Sequence, residues 1–236
     1  AKNHLLVVPD ADAKITTPGV VNSFTGCAGQ RCMAASLMVA VNQVDQQIDA
    51  IVSKAKSLEL GKDMGAIISR AALERITGII DRAEKEGAKI ILDGRKAKAP
   101  AGYEGGFWLG PTIIDYAEPE MECAKEEIFG PVLAIVRRPT VQAAMELEHH
   151  NPFGNATSVF TSSGAVAQFV AQQASTGMIG VNIGVPVPRE PFSFGGTKAS
   201  KFGHGDITGA SSLDFWSNQK KITQKWALQK DANWMS

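Results

Sequence analysis

The chain has 236 residues, of which 44% are apolar and 20% charged, enough to bury a full core as one large domain with at most a small appendage. Its 24 basic and 24 acidic residues cancel, and they are scattered rather than blocked, which disfavours nucleic acid or a membrane surface and favours a small-molecule or protein partner. Three cysteines, an odd number without a signal-peptide pattern, argue against a disulfide framework and for a reducing compartment: cytoplasm, or mitochondrial matrix if the source is eukaryotic. No apolar run approaches the roughly 20 residues of a membrane span.

Taken in order, the chain alternates strand and helix patterns. The opening AKNHLLVVPDADA enters the apolar run LLVV almost at once and then turns, which reads as a chain cut into mid-domain. SLMVAV, Ser36 to Val41, is a strand pattern. Val44, Ile48, Ile51, Val52, Ala55 and Leu58 then recur at helical spacing up to Gly61. Leu73, Ile76, Ile80 and Ala83 mark a second helix, with Ser69 as N-cap and Gly87 as stop. AKIILDG is the next strand, followed by a Lys/Pro/Gly-rich loop from Gly94 to Gly106 and the run FWLGPTII. PVLAIVR, TSVFT and GMIGVNIGV read as strands, separated by helices over Val141 to His150 and Ala165 to Ala174. This alternation predicts an α/β fold, a three-layer sandwich around a largely parallel sheet. KITTPGVVNSFTG carries Pro18 and Gly19 where a helix would suffer, so no full helix is expected there. The tail SSLDFWSNQKKITQKW, with Ile222 and Trp226 spaced by polar residues, suits either an oligomerisation strand pairing with another subunit or a surface strand of the same domain. The domain reading is therefore 1–212 for the main thiol-containing unit and 213–236 for an extended tail.

Chemistry concentrates in three segments. GCAGQRCMAAS holds Cys27 and Cys32 with Arg31 directly before the second. A thiol attacks as the thiolate, a state that a neighbouring cation favours, and the backbone N–H groups of a small-residue loop suit a developing oxyanion. Taken alone, Cys32 is equally well a small buried hydrophobe, and Cys27, with no adjacent charge, reads as filler. KEEIFGPV, Lys125 to Val132, puts two carboxylates before a rigid turn that presents Glu127 and Phe129. PFSFGGTKASKFG sets Phe194 before a glycine pair. The four histidines fall at helix ends and loops without HExxH or CxxC spacing, so no metal site is expected.

Together, in this order, the three segments resemble the aldehyde dehydrogenase superfamily: GQRCMA its nucleophile motif, KEEIFGPV its cofactor-ribose motif, FSFGGTKASKFG its loop near the substrate tunnel. The resemblance runs from Ala1 to about Trp226. Within the superfamily, KNH at the start, Arg31, GMIGVNIGVPVP and KKITQKW are similar to the CoA-acylating branch that oxidises malonate or methylmalonate semialdehyde with decarboxylation. It implies Cys32 as nucleophile, Arg31 and Phe194 in substrate binding, and Glu127 and Phe129 in cofactor binding. It also implies NAD as cofactor, coenzyme A as co-substrate and a homo-oligomer, dimer or tetramer. The family's nucleotide-binding half, its general base and its oxyanion Asn would precede Ala1, so the chain is expected to be the catalytic portion of a longer enzyme and inactive alone. The alternatives are a non-acylating aldehyde dehydrogenase, a catalytically incomplete oligomerisation module, and a thiol hydrolase pairing Cys32 with a histidine.

Overall fold

A computed structural model describes residues 1–227 of the chain. The apolar runs become a seven-stranded sheet in the order β3-β4-β5-β2-β1-β7-β8. Its members are β1 (His4–Val7), β2 (Leu37–Val41), β3 (Lys89–Leu92), β4 (Thr112–Asp115), β5 (Val132–Arg138), β7 (Ala156–Phe160) and β8 (Met178–Val181). All pairings are parallel except β3 with β4. A separate antiparallel pair joins β6 (Phe153–Gly154) to β9 (Thr197–Lys198).

Helices cover both faces, so the central strands are apolar on both sides. The alternation of side chains along each strand divides the core in two. Leu5, Val7, Met38, Ala40, Leu133 and Ile135 face α1 (Ala13–Thr25) and α2 (Asp45–Lys56). On the other side, Leu37, Ala134 and Val136 pack under α3 (Arg70–Lys85) and α4 (Glu122–Lys125), while Leu6, Val39 and Val159 pack under α5 (Val141–His150) and α6 (Gly164–Gln173). The three-layer expectation is met. So is α3 in detail: the Ser69 hydroxyl accepts from the Ala72 N–H at 3.2 Å, and Gly87, at φ +103°, reverses the chain beyond its end.

The segment before Cys32 differs from the expectation. A helix does form over Ala13–Thr25, with Pro18 inside it and the Asp12 carboxylate capping the Lys14 N–H. Pro18 costs about 3 kcal/mol in a helix interior, but Val20, Val21 and Phe24, all fully buried, contribute about 1.5–3 kcal/mol each. Burial wins. Pro18 also lies on the exposed side, where water can satisfy the carbonyl it leaves unpaired. Gly19 is there for proximity: a Cβ on it would come within 2.8 Å of the Phe160 ring of β7.

At the other end, α7 (Ser212–Trp216) straddles the expected boundary at 212/213, and residues 217–227 are exposed and without regular secondary structure. The remainder of the expected tail strand, 228–236, lies outside the described residues.

Candidate active site at the amino-terminal edge of the sheet

The strand order determines which loops meet. Neighbours β5, β2, β1 and β7 are parallel, so the segments entering them, Glu127–Pro131, Cys32–Ser36, Ala1–Asn3 and Asn155, stand in a row along one edge. This is the edge of the strands' amino ends. Doubly wound sheets usually bind ligands at the carboxyl ends.

Behind helix α1 the chain makes a left-handed turn, with φ of +54° at Cys27, +52° at Ala28 and +67° at Gly29. Successive left-handed residues are costly for any side chain but glycine, and such outliers persist only where neighbours over-determine them. Here the neighbour is the second motif. Gly29 lies directly on the backbone of Gly130, leaving no room for a Cβ, and a Cβ on Gly130 would in turn come within 2.7 Å of Ile76. GCAGQRC and EEIFGPV are thus in backbone contact. Gln30 adds a second fixture, donating to the Ala66 carbonyl at 3.1 Å and accepting from the Ile68 N–H at 2.8 Å. Gly29→Ala should cost more than about 3 kcal/mol and displace the thiol loop, since it adds both overlap and φ strain. The measurement is the melting temperature; a variant melting within about 2 °C of wild type would contradict it.

Cys32 is exposed, as is Cys27, whereas Cys123 is buried and its thiol is pushed up to about 11, chiefly by loss of water. The Cys32 carbonyl accepts from Asn3 Nδ2 at 2.9 Å and from Asn155 Nδ2 at 3.4 Å. Among the described residues its N–H meets no acceptor, which leaves a free donor beside the thiol. Met33, next in sequence, packs with Ala156, Met178, Val185 and Phe194, so the third motif, FSFGG, does reach the thiol loop. In the EEIFGPV turn, Ile128 is buried and its carbonyl accepts from Arg75 Nη2 at 2.6 Å. That anchor, with φ +53° at Phe129, directs Glu127 and Phe129 into a cleft they share with Gly29, Arg31 and Ser36.

Arg31 borders the cleft but is folded back, with Nη2 donating to the Asn22 carbonyl of α1 at 2.7 Å and its Nε buried without a partner among the described residues. Part of its donor set therefore caps a helix end, a use common for cations there. Two buried residues that sequence reasoning did not single out for a role complete the edge. Lys2 Nζ donates to the Cys123 carbonyl at 2.7 Å, and burial lowers its pKa to about 7, against the opposing pull of Cys123, Glu126 and Glu127. Asn3 Nδ2 reaches both Cys32 and Ala34. The only sequence signal for either was a polar KNH leading into an apolar strand. Among the described residues no group of three or more His, Cys, Asp or Glu could hold a metal ion, and no helix is long and apolar enough to cross a membrane.

The sequence model described as "Aldehyde dehydrogenase family" matches residues 1–222. The chain is 42% identical over 232 residues to the mitochondrial acylating methylmalonate-semialdehyde/malonate-semialdehyde dehydrogenase of Rattus norvegicus, covering 96% of this chain and 43% of that protein. It is 40% identical to the malonate-semialdehyde dehydrogenase of Pseudomonas aeruginosa, covering 96% and 47%. Among solved structures, methylmalonate-semialdehyde dehydrogenase from Oceanimonas doudoroffii superposes with a TM-score of 0.92 at 38% identity, over 100% of this chain and 49% of that one. Mycobacterium tuberculosis aldehyde dehydrogenase complexed with NAD+ gives 0.85 at 28% identity, over 97% and 48%. The chain spans less than half the length of each of these relatives.

Proposed function

The chain belongs to the aldehyde dehydrogenase family, and from that premise we propose that it is the thiol-bearing portion of a CoA-acylating dehydrogenase for malonate or methylmalonate semialdehyde. One observation carries this reading: an exposed cysteine with a free backbone N–H stands on a turn locked against the turn that presents Glu127 and Phe129. The thiolate of Cys32 adds to the aldehyde carbon, and the Cys32 N–H donates to the oxyanion. Loss of hydride from that carbon leaves a thioester on Cys32. The acyl group now carries a carboxylate β to the thioester carbonyl; that carbonyl accepts the electron pair released with CO2, the enolate takes a proton at its α-carbon, and the thiol of CoA then displaces the Cys32 thiolate at the same carbonyl.

The edge suits a nicotinamide dinucleotide. A ribose needs a carboxylate acceptor and a nicotinamide needs a flat apolar wall, and Glu127 and Phe129 supply these side by side. NAD, when bound, supplies the hydride acceptor. Glu127 orients the sugar and Phe129 excludes water from one side of the ring. Arg31 suits the substrate carboxylate through its Nη1 end, since Nη2 is held by α1. Arg31→Ala should raise KM for a carboxylated semialdehyde about tenfold or more, in keeping with a lost charge-assisted pair, while a neutral aldehyde changes little. Equal losses for both substrates would leave Arg31 as a helix cap alone.

The test of the function is to supply the full-length protein that contains this chain with malonate or methylmalonate semialdehyde, NAD and CoA, and to follow dinucleotide reduction and acyl-CoA together. Acyl-CoA and CO2 in step with reduction is the expected result. Reduction with release of the free acid would make it a non-acylating aldehyde dehydrogenase. No reduction at all would leave an oligomerisation module.

A further inference from the structure

Three consecutive residues at the head of β1 are polar or ionisable and almost wholly enclosed: Lys2, Asn3 and His4 are 1%, 3% and 1% exposed. Burying such groups costs free energy unless they make specific bonds, so their partners indicate what they are for. Side chains alternate across an extended chain. Leu5 and Val7 face the α1/α2 layer, and Asn3 shares their parity; Leu6 faces the opposite layer with the parity of Lys2. The bonds follow this division. Asn3 reaches the loop behind α1, and Lys2 reaches α4.

We propose that Lys2 and Asn3 are a pair of positioning residues, one extended dipeptide that fixes the Cys32 turn from one face of the sheet and the α4 segment leading to Glu127 from the other, and so sets the thiol against the cofactor side of the cleft. The proposal rests on Cys32 being the nucleophile. Asn3 has the donor count for the task. Its two Nδ2 hydrogens go to the Cys32 and Ala34 carbonyls, both at 2.9 Å, while Oδ1 accepts from the Ala156 N–H at 3.0 Å. The three bonds tie the thiol loop, the entry to β2 and the entry to β7 to one side chain. Aspartate has the same shape but no donor, and serine has only one. The reverse amide orientation would set NH2 against the Ala156 N–H, so the bonding pattern fixes it.

Lys2 performs the corresponding task for the other motif. Its Nζ holds the Cys123 carbonyl at 2.7 Å, within the four-residue α4. From there Glu126 leads directly to Glu127, Ile128 and Phe129. An apolar side chain would fill the same space without holding that carbonyl. The functional requirement is a fixed separation between two catalytic segments that lie far apart in sequence, and misplacement by about 1 Å in such a site costs on the order of a hundredfold in rate.

The experiment uses Cys27 as an internal reference, because it too is exposed and lies five residues from Cys32. In the full-length protein that contains this chain, iodoacetamide labelling of both thiols is timed by peptide mass spectrometry in wild type, Asn3→Asp, Asn3→Ser and Lys2→Met, with circular dichroism to establish folding. Both Asn3 variants are expected to slow Cys32 about tenfold relative to Cys27, and Lys2→Met to leave that ratio within twofold while raising the dinucleotide KM about tenfold more than it lowers kcat. A general loss of structure would move both thiols together. An unchanged Cys32:Cys27 ratio in a folded Asn3 variant, or an unchanged dinucleotide KM in Lys2→Met, overturns the proposal. If neither Asn3 variant folds, the Lys2→Met arm decides it. If wild-type Cys32 already reacts no faster than Cys27, it is the nucleophile reading that fails.

Discussion

Replacing Cys32 by alanine should abolish semialdehyde oxidation, lowering the rate by about 10⁴-fold or more, as removal of a covalent nucleophile does elsewhere. The fold should be indifferent to the change. The thiol is exposed and belongs to none of the core clusters, so stability should stay within about 0.5 kcal/mol of wild type. Cys32→Ser is the sharper variant. A hydroxyl attacks far more weakly than a thiolate at neutral pH, and an oxygen ester gives up its acyl group to an incoming thiol less readily than a thioester does. Cys27→Ala is the control and should retain activity, since its side chain makes no bond in the site. Dinucleotide reduction is the measurement. Retention of more than about 1% of the rate in Cys32→Ser would remove covalent thiol catalysis from the reading.

Local patterns disclosed most of the elements and the motif residues, and the exceptions have a common cause. The strands and α3 could be read because apolar periodicity and a Ser69 cap are local signals. Helix α1 could not, because Pro18 and Gly19 are local breakers and what overrides them is packing of Val20, Val21 and Phe24 against distant strands. Glycine that looked like a stop is a contact point for Phe160. The site divides in the same way. Cys32, Glu127, Phe129 and Phe194 stand in short motifs. Lys2, Asn3, Gln30 and Asn155 act on partners 29 to 153 residues away, and only the strand order brings those together. Arg31 shows the limit most plainly, because its place beside Cys32 is visible in sequence and its tether to the Asn22 carbonyl is not.

Placing the site at the amino-terminal edge has a chemical consequence. At the carboxyl edge of such a sheet, helix N-termini supply much of the anion binding. Here the strand entries meet instead, and the available donor is the backbone N–H of Cys32, on a turn whose carbonyl Asn3 and Asn155 hold. Precision then depends on buried polar contacts rather than on helix dipoles. That dependence makes the edge sensitive to protons.

Acid should therefore unfold the protein through His4. The imidazole is buried, neither ring nitrogen has a hydrogen-bond partner among the described residues, and burial holds its pKa at about 3 instead of 6.5. The charges of Lys2 and Lys198 push the same way. Because the folded pKa lies below the unfolded one, the unfolded chain binds the extra proton between these two values. Stability is intact above pH 6.5 and falls as pH drops toward 3, by about 1.4 kcal/mol per pH unit and about 5 kcal/mol in all. Lys2 contributes in a separate window. Its folded pKa near 7 against 10.5 means that stability rises again as pH climbs from 7 to 10.5. Carboxylates also titrate in acid, so the His4 share is isolated by difference. His4→Leu replaces an unpartnered ring by an apolar side chain, which should be nearly neutral at pH 7. At pH 5 the variant should be more stable than wild type by about 2 kcal/mol in urea titrations, the gap widening with each further unit. Parallel pH profiles for the two proteins would mean that the ring is protonated in the fold, with an acceptor or water at one of its nitrogens.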